Sequence, residues 1–259
     1  MRLYGRTTGA ETGTVRTDAL LDRFLRDLAP LRPLALWAHG SLAGGDYQEG
    51  RSDLDLIAVL PGPSGIGRIR QVARLHRELR GTPLAVKLHC SYLTPATLDD
   101  PGRSHLTWAH DGLLRRPVTP VTRRELHTFG RVLYGQAPDA LLPAVPDRQL
   151  TDFVVRDQRD FWRPAVDRAR RWRQDVWVDL GLLTYARAGV TLREGRLISK
   201  KEALGELPGL GAPAEVVEDI ARRRYGTPGP PDAARRARRA ELTRTFLGPA
   251  IDALVAAYG

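Results

Sequence analysis

The stretch "HGSLAGGDYQEGRSDLDL" (His39–Leu56) decides the reading of this chain. The apolar run "PLALWAH" (33–39) leads into it and "LDLIAVL" (54–60) leaves it, and both read as buried strands. Asp53 and Asp55 stand two residues apart, so on a strand their side chains leave the same face, while Leu54 and Leu56 point the other way into a core. Side-by-side carboxylates repel and desolvate badly unless a cation lies between them. Mg²⁺ is the natural choice, because it takes oxygen ligands and leaves positions for phosphate oxygens. Ser41 lies twelve residues ahead of Asp53. Gly40 allows close backbone approach, and a Gly-Ser pair at a strand end can offer N–H groups and a hydroxyl to a phosphate. An isolated Asp-x-Asp is most often an ordinary strand end. Joined to the Gly-Ser pair and flanked by two strands, it points to phosphoryl or nucleotidyl transfer.

Composition bounds the remaining possibilities. With 259 residues, 42% of them hydrophobic, the chain can bury one large or two modest cores. Its one cysteine, Cys90, excludes a disulfide framework and a Cys-rich zinc site. No apolar run approaches the ~18–20 residues that span a bilayer, and the N-terminal stretch lacks a signal-peptide core, so a cytoplasmic protein without membrane attachment is expected. The formal charge of +10 would suit an anionic partner. However, only Lys87, Lys200 and Lys201 are lysines, 37 residues are arginine and asparagine is absent, a skew typical of GC-rich coding sequence. Nucleic acid is therefore not the expected partner, and the clusters "RARRWR" (168–173) and "RRARR" (235–239) read as solvated helix faces.

The chain organises into a loose leader (1–16), an α/β domain (17–140) and a helical domain (147–259), joined by the proline-rich "GQAPDALLPAVPD" (135–147). Leu20, Leu21, Phe24, Leu25 and Leu28 recur at helical spacing, and a second helix is expected over 66–80. "LAVKLHCSYL" (84–93) alternates as a half-buried strand, with Lys87, His89 and Ser91 on its polar side, and 122–134 reads as a helix. Beyond the linker, helices are expected over 148–173, 175–189, 199–206, 213–225 and 232–258. The fold class is α+β: a mixed sheet with flanking helices, followed by an α-helical bundle.

The segment "LWAHGSLAGGDYQEGRSDLDLIAVL" resembles the signature of the DNA polymerase β-like nucleotidyltransferase superfamily. "LLTYARAGVTLREGRLISKKEALGELP" (182–208) is similar to the C-terminal domain of the streptomycin/spectinomycin adenylyltransferases, as is "LYGQAP" (133–138) in style. The resemblance implies a Mg²⁺-dependent enzyme that moves AMP from ATP to a hydroxyl of a small molecule, with an aminoglycoside or aminocyclitol as candidate acceptor and antibiotic resistance as its consequence. It assigns the nucleotide's phosphates to Gly40 and Ser41, the metal to Asp53 and Asp55, and a further phosphate contact to Lys200, with Lys201 beside it. The site it implies lies in a cleft between the two domains.

The chain departs from that family in two places. A third carboxylate, the family's general base, is expected on a later strand, but "LAVKLHCSYL" holds neither Asp nor Glu. His89 could serve as the base, or His89 and Lys87 could bind phosphate while catalysis is weak or lost, leaving a ligand-binding homologue. The arginine expected near Leu182 is also missing. A polycationic acceptor needs acidic or aromatic walls, for which Trp108, Asp111 and Asp175 are the leading candidates, with Trp177, Asp179 and Glu194 beside them. A neutral or anionic acceptor is the alternative.

Overall fold

The computed structural model describes residues 11–63, 65–229 and 232–259, with side chains from Arg16 onward. Two compact units divide the chain. The first comprises the described residues up to Ala43, Glu49–Val118 and Phe129–Pro143; the second comprises Gly44–Gln48, Thr119–Thr128 and Ala144–Gly259. No helix among the described residues is long and apolar enough to cross a membrane.

The first unit is built on a six-stranded sheet. Its strands are β1 (Ala35–Ala38), β2 (Leu54–Val59), β3 (Leu88–Leu93), β4 (Ser104–Ala109), β5 (Gly112–Pro117) and β6 (Arg131–Gly135), in the spatial order β5-β4-β3-β2-β1-β6. Only β2 and β3 pair in parallel, so the sheet is mixed as expected. Helix α1 (Glu11–Leu28) buries Leu20, Leu21, Phe24 and Leu28, the residues whose spacing predicts it. It begins inside the stretch expected to be a leader; residues 1–10 of that stretch lie outside the described residues. A single helical turn, α2 (Gly40–Ala43), follows β1, and α3 (Ile66–Glu78) crosses between β2 and β3. That crossover is what allows two neighbouring strands to run parallel.

Three local readings change around the sheet. The strand expected over 84–93 starts at Leu88, because Ala85–Lys87 forms a 3₁₀ turn behind Leu84, which has φ +66°. The stretches "DDPGRSH" (99–105) and "RRPVTPVT" (115–122), loop-like by composition, run into the β4–β5 hairpin, which is turned by His110 (φ +51°) and Asp111 (φ +59°). The helix expected over 122–134 is α4 (Pro120–Phe129), and the chain then reverses into edge strand β6. Gly135 ends that strand at φ +72°, where a Cβ would stand 2.1 Å from Leu34 O. Trp37 closes the same corner, its Nε1–H donating to Gln136 O at 2.7 Å.

The second unit is helical. α4 belongs to it, not to the sheet as the 17–140 boundary implies, because Val121 packs on a small core of Val145, Leu150, Val154 and Ala188. Buried Glu125 also accepts a 2.8 Å bond from Arg187. After the one-turn α5 (Pro138–Leu141) in the first unit come α6 (Asp147–Arg156), a π-helical turn (Asp157–Trp162), α7 (Arg163–Val166) and α8 (Asp175–Glu194). The continuous helix expected over 148–173 is thus broken. The unit ends with α9 (Lys200–Glu206), α10 (Ala214–Tyr225) and α11 (Ala233–Tyr258). Its core gathers Trp162, Trp172, Leu182, Leu207, Val216, Ile220 and Leu247, with Trp177 packed against it.

His76 on α3 is buried beneath the sheet, stacked on Trp108 at 4.7 Å and sharing a 2.7 Å hydrogen bond with Tyr92 Oη. Burial lowers its pKa from 6.5 to about 3. Between those values the unfolded chain holds a proton that the folded one refuses, so stability is complete above pH 6.5 and drains as the pH falls toward 3. His76→Gln is expected to flatten the fall in unfolding free energy, read from urea titrations between pH 6.5 and 4.5, by up to ~1.4 kcal/mol per pH unit. Identical slopes in both proteins would contradict this burial effect.

Candidate active site

The two aspartates emerge as their spacing dictates. Leu54 and Leu56 are buried, whereas the side chains of Asp53 and Asp55 are 42% and 30% exposed on the opposite face. The parallel register sets Asp55 beside His89. His89 Nδ1 lies 3.7 Å from Asp55 Oδ1, and Lys87 Nζ lies 3.4 Å from Asp53 Oδ1. Burial pushes the Asp55 carboxyl up, but the hydrogen bond from His89 and the charges of His39, His89 and Arg116 outweigh it and hold the pKa down to about 2.

The Gly-Ser turn lies against this pair. His39 N–H donates to Asp55 O at 3.0 Å, pinning the end of β1 to the start of β2. Gly40 follows at φ +61°, and a Cβ there would meet Asp55 Oδ2 at 3.0 Å. Glycine therefore opens a small space between the turn's backbone and a carboxylate. Among the described residues no three His, Cys, Asp or Glu side chains are placed together to hold a metal ion. Two carboxylates on one face, beside a turn that can receive phosphate, still fit a Mg²⁺ that takes its remaining ligands from phosphate oxygens and water.

His89 is buried rather than lining a polar strand face. Its Nε2 accepts from His110 N–H at 3.4 Å, which leaves the proton on Nδ1, toward Asp55. Both nitrogens are thereby engaged. Ser91, on the same side of β3, is buried against Thr107 at 2.9 Å.

The other candidates scatter. Trp108 pairs in register with Cys90 and stacks on His76, so it lies on the sheet face opposite Asp55 and His89, as part of the core. Asp111 sits in the β4–β5 turn, accepting from Arg80 Nε at 2.9 Å. Cys90 is buried and its thiol is pushed up to about 12, which makes it inert as a nucleophile. In the helical unit Asp175 pairs with Arg239 and Asp179 with Arg223. Glu194 pairs with Arg196 at 2.6 Å, and Trp177 packs among Trp162, Trp172 and Phe161. The "RRARR" arginines are not simply solvated, since Arg239 is buried. Lys200 and Lys201 open α9, where Ser199 and Glu202 form a reciprocal cap.

One residue of the quoted motif escapes a reading by composition. Asp46 is buried in the helical unit, where it accepts from Lys201 N–H at 3.0 Å and from Tyr225 Oη at 3.0–3.1 Å. The segment that follows the Gly-Ser turn is thus bonded to the helix carrying both lysines. Its only signal in the sequence is an acid directly after Gly44-Gly45.

Residues 20–104 match the family model described as a nucleotidyltransferase domain. The match supports a transferase and covers all the residues of the Gly-Ser and Asp-x-Asp pattern. No curated protein sequence matches the chain. Among solved structures it is similar to the spectinomycin adenyltransferase AAD(9) from Enterococcus faecialis, crystallised with ATP and spectinomycin, at 14% identity and a TM-score of 0.69 over 93% of this chain and 100% of that one. At that identity the likeness establishes a shared fold.

Asp46→Asn turns one acceptor toward two donors without changing volume. The variant is expected to lose about 1.5–3 kcal/mol in urea unfolding, with an unchanged m-value. A wild-type midpoint would show that these bonds hold nothing in place.

Proposed function

We propose that this chain, which carries a nucleotidyltransferase domain, is an ATP-dependent adenylyltransferase acting on a hydroxyl of a small molecule. The observation that carries the reading is the aspartate pair at the entry to β2, both side chains partly exposed where Leu54 and Leu56 are buried, with the Gly40 turn against Asp55. Gly40 and Ser41 receive phosphate oxygens of the triphosphate. Asp53 and Asp55 hold Mg²⁺, which would neutralise charge on the phosphates and on departing pyrophosphate. Lys200 and Lys201 are assigned to the nucleotide's phosphates on the strength of the resemblance. In the reaction the acceptor oxygen bonds to the α-phosphorus and the bond to the β-bridging oxygen breaks. Pyrophosphate leaves with that electron pair, and the hydroxyl proton passes to solvent.

His89 is better suited to orienting Asp55 than to removing that proton, because Nδ1 faces Asp55 and Nε2 is held by His110 N–H. Of the residues suggested for an acceptor wall, Trp108 is core and Asp111, Asp175 and Asp179 are ion-paired. This favours a neutral or anionic acceptor, while the AAD(9) likeness makes spectinomycin an obvious member of any assay panel, and resistance to it the corresponding cellular role. A second reading, nucleotide binding without turnover, is favoured by two observations: Lys87 already pairs with Asp53, and β3 supplies no third carboxylate.

Pyrophosphate release from ATP and Mg²⁺ across cationic, neutral and anionic hydroxylated acceptors tests the proposal. Asp53→Asn and Asp55→Asn are each expected to lose about a hundredfold or more. His89→Gln is expected to lose about tenfold, as befits an orienting group. Turnover unaffected by Asp53→Asn would overturn the metal role, and ATP binding without turnover on any acceptor would establish the second reading.

A further inference from the structure

The helical unit holds a second cluster of chemistry, made wholly of its own residues. A cavity of about 190 Å³ lies where α8, α10 and α11 approach one another, lined by Asp175, Asp219, Arg223, Arg235, Arg236 and Arg239. With Asp232, which caps α11 by accepting from Ala234 N–H, the lining sets four guanidiniums against three carboxylates. Asp219 takes Arg223, Arg239 at 2.6 Å and Arg235 at 3.0 Å, while Asp175 takes Arg239 and faces Arg236 at 3.9 Å.

The carboxylates are thus shared, and the donors outnumber them. Four guanidiniums carry about twenty N–H groups, against about sixteen acceptor positions on these three carboxylates and Asp179, which also takes Arg223. The surplus has a specific location. Arg239 is buried and spends both terminal nitrogens on Asp219 and Asp175, yet its buried Nε has no hydrogen-bond partner. Leaving such a donor unmet costs the full desolvation of that group. Arg235 and Arg236 are 45% and 44% exposed, and Arg236 lies 3.9 Å from its carboxylate, so both guanidiniums are accessible from solvent. A network serving only to hold helices together needs neither a cavity nor surplus donors; planar guanidiniums converging on a void suit a planar or tetrahedral oxyanion.

We propose that this cavity binds the phosphate or carboxylate group of a small molecule. A polycation would meet a lining of net positive charge. The ligand is either the nucleotide or a second, anionic molecule, and the same experiment separates them.

Inorganic phosphate, a hexose 6-phosphate and a hexuronate are titrated calorimetrically into the full chain at low salt, with a tetracationic aminoglycoside as charge control. At least one anion is expected to bind saturably, about tenfold more weakly to an Arg235→Gln/Arg236→Gln double variant and unchanged to Asp53→Asn. Should the double variant unfold, Arg236→Gln alone, whose ion pair is at 3.9 Å, serves the same purpose. Competition by ATP in Asp53→Asn identifies the nucleotide as the ligand; its absence identifies a separate anionic molecule. No saturable binding of any of the three anions, or affinity indifferent to the arginine variants, overturns the proposal. Because Asp53→Asn isolates this site from the aspartate pair, failure of the nucleotidyl-transfer reading leaves the result interpretable.

Discussion

Two carboxylates stand two residues apart where the chain enters β2, Asp53 just before the strand and Asp55 within it, and like charges that close need positive charge beside them. Lys87, from the 3₁₀ turn before β3, brings its ammonium to Asp53, and the parallel register of β2 and β3 sets the His89 imidazole beside Asp55. The resulting balance keeps Asp55 ionised far below neutral pH despite its partial burial. The crossover helix α3 makes that register possible, and the backbone bond from His39 to Asp55 fixes the Gly-Ser turn beside it. A small displacement of β3 would separate His89 from Asp55.

Buried polar groups shape the helical unit in a comparable way. Asp46 binds a motif loop to α9 and α10 through Lys201 N–H and Tyr225 Oη, so the segment following the Gly-Ser turn is structurally part of the helices. Glu125 and Arg187 join α4 to α8. Asp219 gathers several arginines around a cavity. Each carboxylate is satisfied, as burial requires, but the arginines around Asp219 are not all matched. That imbalance distinguishes a group of ion pairs that only stabilises from one able to accept a further anion.

Much of this was legible in the residues. The Leu54/Leu56 and Asp53/Asp55 alternation gives β2 its two faces, and the spacing from Leu20 to Leu28 gives the buried side of α1. The β4–β5 hairpin was also written in the chain: Asp111-Gly112 between apolar runs is a strong local hairpin signal, obscured by the prolines and arginines around it. Strand β6 was hidden because the helical pattern of α4 runs into it, and as an edge strand it exposes Val132 and Tyr134, so it shows no buried alternation. The π-helical turn over Asp157–Trp162 interrupts a pattern that reads as one helix. Spacing placed Asp53, Asp55 and Gly40 together. It could not place Trp108, whose sheet face depends on its register with Cys90, or anticipate that Asp175 and Asp179 would be claimed by arginines more than forty residues away.

The central claim is that Asp53 and Asp55 hold a divalent ion against a triphosphate. Electron paramagnetic resonance of Mn²⁺, titrated with a non-hydrolysable ATP analogue, reports this without requiring turnover or a known acceptor. The account predicts that the protein and the analogue together deplete the free-ion signal beyond what the analogue does alone, and that Asp55→Asn abolishes the difference while remaining folded. An equal depletion by Asp55→Asn would contradict it.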